Sequence, residues 1–239
     1  GPFLGTAVLM AIGLVAIAFF VPPTPIDKSQ RRSAAEPFKA LVDPRISILM
    51  LAALVYNYGY FTLLAYAPFP LAEASVRAGG QFTPLDLGLV FFGWGLMVSL
   101  GSVWLGPRSC EHLGIRRTVA VTLILFTIDE VLLATWISPI PQVIGVVIGG
   151  LFIGIVNTAM TEIVMSASKI QREVASSAYS GVRFLGGACA PTLAGALGSL
   201  WGVGGQYYVG AVTLALTIVL LWIDRQRRRR MTAHSVALE

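Results

Sequence analysis

Charge is scarce in this chain. Of 239 residues, 12% are Asp, Glu, Lys or Arg, about half the share in an ordinary soluble domain. Hydrophobic residues make up 56%, in stretches too long and too many to be one buried core. Cysteine is nearly absent: Cys110 and Cys189, one in a basic segment and one in an apolar stretch, give neither a disulfide framework nor metal-ligand spacing. The two histidines, His112 and His234, lie outside the apolar stretches, which leaves a zinc site or His-based chemistry at membrane depth without support. No Gly-x-x-x-x-Gly-Lys-Ser/Thr phosphate loop occurs, which leaves ATP drive within this chain without support. No Ser/His, paired-Asp or metal-ligand constellation is evident, so we expect no enzyme, no metal and no cofactor. Short segments of apolar/polar alternation, the mark of a transmembrane barrel, are also missing.

What is present is apolar length. A helix that crosses a hydrocarbon core of about 30 Å needs roughly 20 mostly apolar residues. Seven such stretches can be drawn, over 3–22, 47–69, 87–106, 118–138, 142–166, 174–199 and 206–223. Lipid cannot satisfy loose backbone N–H and C=O groups, so helices are the expected element. The fold class is therefore all-α, a polytopic transmembrane helix bundle of about seven spans.

The basic residues are grouped. Fifteen of the seventeen Lys and Arg residues fall in 23–46, 107–117, 167–173 and 224–230. Basic loops stay on the cytoplasmic side, and a walk along the chain alternates without a break. Lys28, Arg31, Arg32, Lys39 and Arg45 are inside; the loop 70–86, with Arg77, Glu73 and Asp86, is outside; Arg108, Arg116 and Arg117 are inside. The turn Ser138-Pro139-Ile140-Pro141-Gln142 is outside, Lys169 and Arg172 are inside, and Gly202-Val203-Gly204-Gly205 is outside. The run Arg225, Arg227, Arg228, Arg229 and Arg230 then holds the C-terminus on the cytoplasmic face among anionic headgroups. The net charge of +5 reads as this topology, not as affinity for nucleic acid. The expected location is the plasma membrane, with the lipid bilayer as the main partner.

The first span then runs from outside to inside. Gly1 is not a start methionine, and no signal peptide is visible, so the chain reads as a fragment. Segment 23–46 is broken by Pro23, Pro25, Pro37 and Pro44 and mixes charges, as a linker does. It divides a single helix over 1–22 from a six-helix set over 47–223, followed by a basic tail over 224–239.

Six helices behind a long interior loop, preceded by one more helix, resemble the C-terminal half of a major facilitator superfamily transporter. On that resemblance the chain runs from the sixth helix through the twelfth, and a six-helix N-terminal bundle is missing from it apart from that last helix. Two local patterns carry the match. The family's loop signature Asp-Arg-x-Gly-x-Arg-Arg compares with Glu111-His112-Leu113-Gly114-Ile115-Arg116-Arg117. Gly114, Arg116 and Arg117 fit, Glu111 and His112 replace Asp and Arg, and Pro107 sits where the family prefers Gly. A Gly permits a tight turn there, and the charges can pair with helix ends across the inner face. The second pattern, Gly186 to Gly195, is similar to the antiporters' Gly-x-x-x-Gly-Pro-x-x-Gly-Gly. Gly186, Pro191 and Gly195 are in register, with Ala190 and Ala194 for two glycines. It is either tight helix packing or an antiporter-type hinge around the proline. Tyr56-Asn57-Tyr58-Gly59-Tyr60-Phe61, Phe91-Phe92-Gly93-Trp94-Gly95 and Val182-Arg183-Phe184 resemble actinobacterial-type drug exporters of the same superfamily.

Polar groups at membrane depth are costly and so are functional candidates. Asp129 and Glu130 lie near the middle of span 118–138 and point about 100° apart. One of them lines a water-filled cavity and exchanges protons, or the pair is held in a helix interface and a polar crevice. Glu162 is a coupling carboxylate, a gate residue or a helix-end partner of Arg172. Arg183, inside span 174–199, needs a partner, and Glu162 is the expected one, as an inner gate pair. Tyr56 and Tyr60 share one helix face. With Asn57 and with Asn157 on a second span, they offer an aromatic and amide surface suited to an amphipathic or cationic organic substrate, unless the tyrosines simply pack on small residues.

The resemblance implies a secondary transporter, with proton-coupled efflux of organic compounds by alternating access and the proton as coupling ion. Uptake of a sugar or metabolite on the same fold, and a truncated chain that transports nothing alone, are the alternatives.

Overall fold

The computed structural model describes residues 2–22, 41, 43–168 and 171–236. Lys169 and most of the inter-bundle loop 23–46 lie outside them, including Lys28, Arg31, Arg32 and Lys39. All regular structure among the described residues is helical, as expected from composition.

Helix α1 (Pro2–Phe20) is apolar on every face, and Leu4, Leu9, Met10, Phe19 and Phe20 are exposed. It belongs to a unit of its own, Gly1–Ala34. The second unit, Ala35–Glu239, opens with α2 (Ser47–Tyr66) and α3 (Pro68–Arg77). It continues with α4 (Pro84–Leu100), one π-helical turn (Gly101–Leu105) and α5 (Gly106–Leu113). Helices α6 (Ile115–Thr135), α7 (Pro139–Ala167), α8 (Arg172–Trp201) and α9 (Gly205–Val236) complete it.

Five helical stretches among the described residues are long and apolar enough to cross a membrane: 47–66, 84–113, 115–135, 139–167 and 205–230. The expected spans 3–22 and 174–199 are helical too, but the first is a shorter apolar helix. The second carries Arg172, Glu173 and Arg183 among Ser, Gly and Ala.

Boundaries differ from the sequence reading where local chemistry extends a helix. The expected outer loop 70–86 contains α3, whose Pro70, Leu71 and Ala74 are buried while Arg77 pairs with Glu73 at 2.9 Å on the exposed side. Thr83 and Asp86 then form a capping box that starts α4, with Pro84 at the position where its missing N–H costs nothing. The expected basic loop 107–117 is helical except at Gly114. There φ is +80°, which glycine adopts without penalty. The proline-rich turn 138–142 is a helix start, and the tail after 223 continues α9 to Val236.

Packing follows from small residues. Helix α2 lies between α8 and α9, α6 between α7 and α9, and α7 carries α4. At the α4/α7 contact, a Cβ on Gly150 would meet the Trp94 carbonyl, and one on Gly154 the Val98 carbonyl. Backbones that approach this closely leave no room for a side chain. The buried core runs through Leu49, Leu63, Leu123, Phe126, Ile153 and Met160.

Candidate functional site

A polar cluster spans α2, α7 and α8. The Tyr56 side chain is fully buried. Its hydroxyl donates to Asn157 Oδ1 at 3.0 Å and lies 3.1 Å from the Tyr179 hydroxyl. Arg183 Nη2 donates to the same Asn157 oxygen at 2.8 Å, and its guanidinium sits over the Tyr179 ring, 5.4 Å from the centroid. Tyr179 and Arg183 are one turn apart, so helix geometry aims both at α2 and α7. One turn on from Tyr56, Tyr60 stacks on Trp94 with centroids 6.1 Å apart and planes at 13°. The cluster is rich in donors. Arg183 Nε and Trp94 Nε1 are buried without a hydrogen-bond partner among the described residues, a state in which buried donors are rarely found.

Asn157 and Tyr56 were expected on sequence grounds, and the fold joins them to Arg183. The expected Arg183–Glu162 pair is not formed. Asn157 and Glu162 are five positions apart, about 140° around the helix, so α7 cannot turn both toward α8. Glu162 is exposed and sits near Cys110 instead. Asn57 is buried, and its amide donates to the Ala53 carbonyl of its own helix at 3.2 Å.

A second group lies between α6, α7 and α9. Glu130 is fully buried and faces Gly210, where a Cβ would collide with its carboxylate. Asp129 faces Gly145 and Gly149 on α7. The two acids are therefore split between neighbours, as their spacing requires. Both Glu130 oxygens and Asp129 Oδ2 are buried with no hydrogen-bond partner among the described residues. Tyr207, also fully buried, lies close enough to interact electrostatically with both. Its hydroxyl donates to Gln142 Oε1 at 3.4 Å, and Gln142 Nε2 donates to the Leu133 and Trp136 carbonyls at 2.7 and 3.2 Å. The glutamine thereby closes the end of α6.

The loop signature belongs to a third, ionic group. Arg116 donates through both Nη atoms to Asp224 Oδ2 at 3.0 Å. Arg228 Nε reaches Asp224 at 2.9 and 3.0 Å, and Arg228 Nη2 donates to the Arg45 carbonyl. Three of the four basic segments thus gather at one end of the bundle. Glu111 and Arg117 are exposed there.

In the Gly186–Gly195 pattern, a Cβ on Gly186 would meet the Leu54 carbonyl of α2. Ala190 is buried. The Pro191 carbonyl accepts the Tyr66 hydroxyl at 2.8 Å. The surroundings of Gly195 lie outside the description. Close α2/α8 packing is therefore present at this pattern.

Comparison with known proteins decides the family. The sequence model of the Major Facilitator Superfamily matches residues 69–237. The chain belongs to that superfamily. It is also 37% identical over 226 residues to the multidrug efflux protein YfmO of Bacillus subtilis (strain 168). The aligned region covers 94% of this chain and 54% of the relative, so the chain spans about half the relative's length. It is thus a multi-pass membrane chain from a transporter family and not an enzyme, as the drug-exporter resemblance implied.

Asp224, Tyr179, Trp94, Tyr207 and Gln142 were missed as site residues. Asp224 is one acid at the head of an arginine run and reads as part of a basic tail. Tyr179 had a usable signal in its i,i+4 spacing to Arg183. Trp94 and Tyr207 resemble any aromatic in an apolar stretch.

Proposed function

We propose that this chain supplies one half of a secondary active transporter that exports organic, drug-like compounds in exchange for protons by alternating access. The observation that carries the reading is the Tyr56–Asn157–Tyr179–Arg183 cluster. It is a half-buried cation held by an amide oxygen, beside the Tyr60–Trp94 stack and two unused donors. Aromatic walls with spare donors suit a flat amphipathic compound bearing an acceptor or acidic group. Arg183 disfavours the cationic substrate that the tyrosines alone suggested, because two like charges would meet. A sugar would call for more Asn and Gln than this surface offers.

Membership of the superfamily and the similarity to a multidrug efflux protein support export. A midplane site between two rocking bundles requires a second bundle against the cluster. Asp129 and Glu130 are the proton-exchange candidates, since both Glu130 oxygens and Asp129 Oδ2 are buried without a hydrogen-bond partner among the described residues. Pro191 in α8 is the candidate hinge. In this reading the end that gathers Arg116 and Arg228 faces the cytoplasm, and the protein resides in the plasma membrane.

The test is made in cells carrying the complete transporter. Asn157→Ala and Arg183→Gln should each slow efflux of an anionic aromatic dye at least tenfold at unchanged protein level. Asp129→Asn with Glu130→Gln should uncouple dye efflux from proton uptake. Normal, proton-coupled efflux in all three variants would refute the assignment.

A further inference from the structure

Beside the Asp224 ionic group lies an open pocket of about 490 Å³ between the start of α6, the α7 wall and α9. Its wall is Ile163, Ile218, Leu221 and Trp222, and its rim carries Arg116, Arg117 and Arg225. Asp224 already neutralises Arg116. Arg117 and Arg225 have no ion pair among the described residues, and no Asp or Glu lines the pocket.

Each of these two arginines ends an exposed apolar stripe. On α6 the stripe is Val121, Ile124 and Ile128, all exposed and at helical spacing from Arg117. On α9 it is Val212, Leu216, Val219 and Trp222, all exposed, with Arg225 one turn further on. Neither helix contributes to the Tyr56–Arg183 cluster. Their outward faces are continuously apolar for several turns, as a surface in contact with acyl chains must be. Trp222 marks the level at which hydrocarbon gives way to headgroups. The stripes therefore lead two hydrocarbon-facing surfaces to one pocket with two uncompensated guanidinium groups at its rim.

We propose that this pocket is a binding site for an anionic phospholipid, with the headgroup phosphate between Arg117 and Arg225 and the upper acyl carbons against Ile218, Leu221 and Trp222. Guanidinium forks match phosphate oxygens in geometry as well as charge. The volume accepts a phosphoglycerol headgroup and the first methylenes, and the remaining chain lies along the α6 or α9 stripe. A free phosphate would leave the apolar wall unused, and a zwitterionic lipid would bring its own cation to the rim. The site is independent of what the protein transports. It ties lipid charge to the segment that also holds Arg116 against Asp224, so an occupied pocket braces the α5–α6 turn against α9.

The experiment uses the purified full chain in neutral detergent, read by native mass spectrometry. Dioleoylphosphatidylglycerol and dioleoylphosphatidylcholine are supplied at equal concentration, with sn-glycerol 3-phosphate as competitor. We expect about tenfold greater retention of the phosphatidylglycerol, loss of that preference in Arg117→Gln/Arg225→Gln, and its persistence in Arg229→Gln. In the unmodified protein 0.5 M salt should weaken the preference, a readout that needs no variant to fold. Equal retention of the two lipids, a preference indifferent to salt, or one that survives the double substitution in folded protein would overturn the proposal. Displacement of lipid by millimolar sn-glycerol 3-phosphate would overturn it in favour of a free-anion site. A dimer that forms in place of lipid binding would overturn it in favour of a second copy.

Discussion

Asp224 is the most consequential carboxylate outside the apolar interior. It is 3% exposed and takes both Arg116 Nη atoms and Arg228 Nε between 2.9 and 3.0 Å. Hydrogen bonds to charged groups contribute about 1.5–3 kcal/mol each. The full sum does not apply, because the Arg116 and Arg228 side chains keep 38% and 28% of their exposure and water can replace part of what is lost. Asp224→Asn keeps the shape and an acceptor oxygen but removes the charge, for a cost of about 2–3 kcal/mol. At roughly 2–4 °C per kcal/mol for a chain of this size, the melting midpoint in detergent should fall by about 5–10 °C. Arg116→Gln should cost less, and the double variant should fall short of the summed effects by about 1 kcal/mol, as directly coupled groups do. A midpoint within 2 °C of the parent, or strict additivity, would refute the view that this group joins the α5–α6 turn to α9.

Other expectations follow from single contacts. Gly210→Ala should cost about 1–3 kcal/mol through collision with Glu130, and Glu130→Ala should restore the melting midpoint; no rescue would mean that the glycine matters for another reason. Gly154→Ala drives a methyl into the Val98 carbonyl and should destabilise by a similar amount, seen as lower detergent-soluble yield and an earlier melt. Gln142→Leu strands the Leu133 and Trp136 carbonyls, for about 1–3 kcal/mol, measurable in the same melts. Tyr56→Phe removes one hydroxyl from Asn157 and Tyr179 and should lower dye efflux less than Asn157→Ala, because Arg183 keeps its acceptor.

The helical class and the position of every helix that crosses the apolar stretches were legible in the sequence, because lipid leaves the backbone a single kind of solution. That Asp129 and Glu130 face different neighbours, α7 and α9 respectively, agrees with the 100° step between adjacent residues, although the step does not name the helices. The helix ends were less legible. Runs of charge and proline look like loops, yet Pro84 and Pro139 sit where a helix begins, and Asp224–Arg228 is an i,i+4 pair that keeps α9 helical. The partner of Arg183 was misjudged because charge matching favoured Glu162, whereas the rotation of α7 presents Asn157. Sequence distance cannot rank two residues on one helix when the facing helix is unknown, and an amide oxygen offers no charge to search for. The Tyr60–Trp94 stack joins α2 to α4, a pairing that only the fold supplies.

Helix α9 has 32 residues, a rod of about 48 Å at 1.5 Å per residue, against a hydrocarbon thickness of about 30 Å. One end must therefore project well clear of the lipid. Arg227, Arg229 and Arg230, all exposed, fall on that projecting part beyond Arg225 and point to different sides at 100° per residue, so they ring it like a loose collar. A collar presents cations on several sides, so its attraction to the membrane surface depends little on which side of the rod faces the headgroups. Loss of any one arginine should not invert the chain in the bilayer, and a fluorescent domain joined after Val236 would ride at a nearly fixed height above the headgroups.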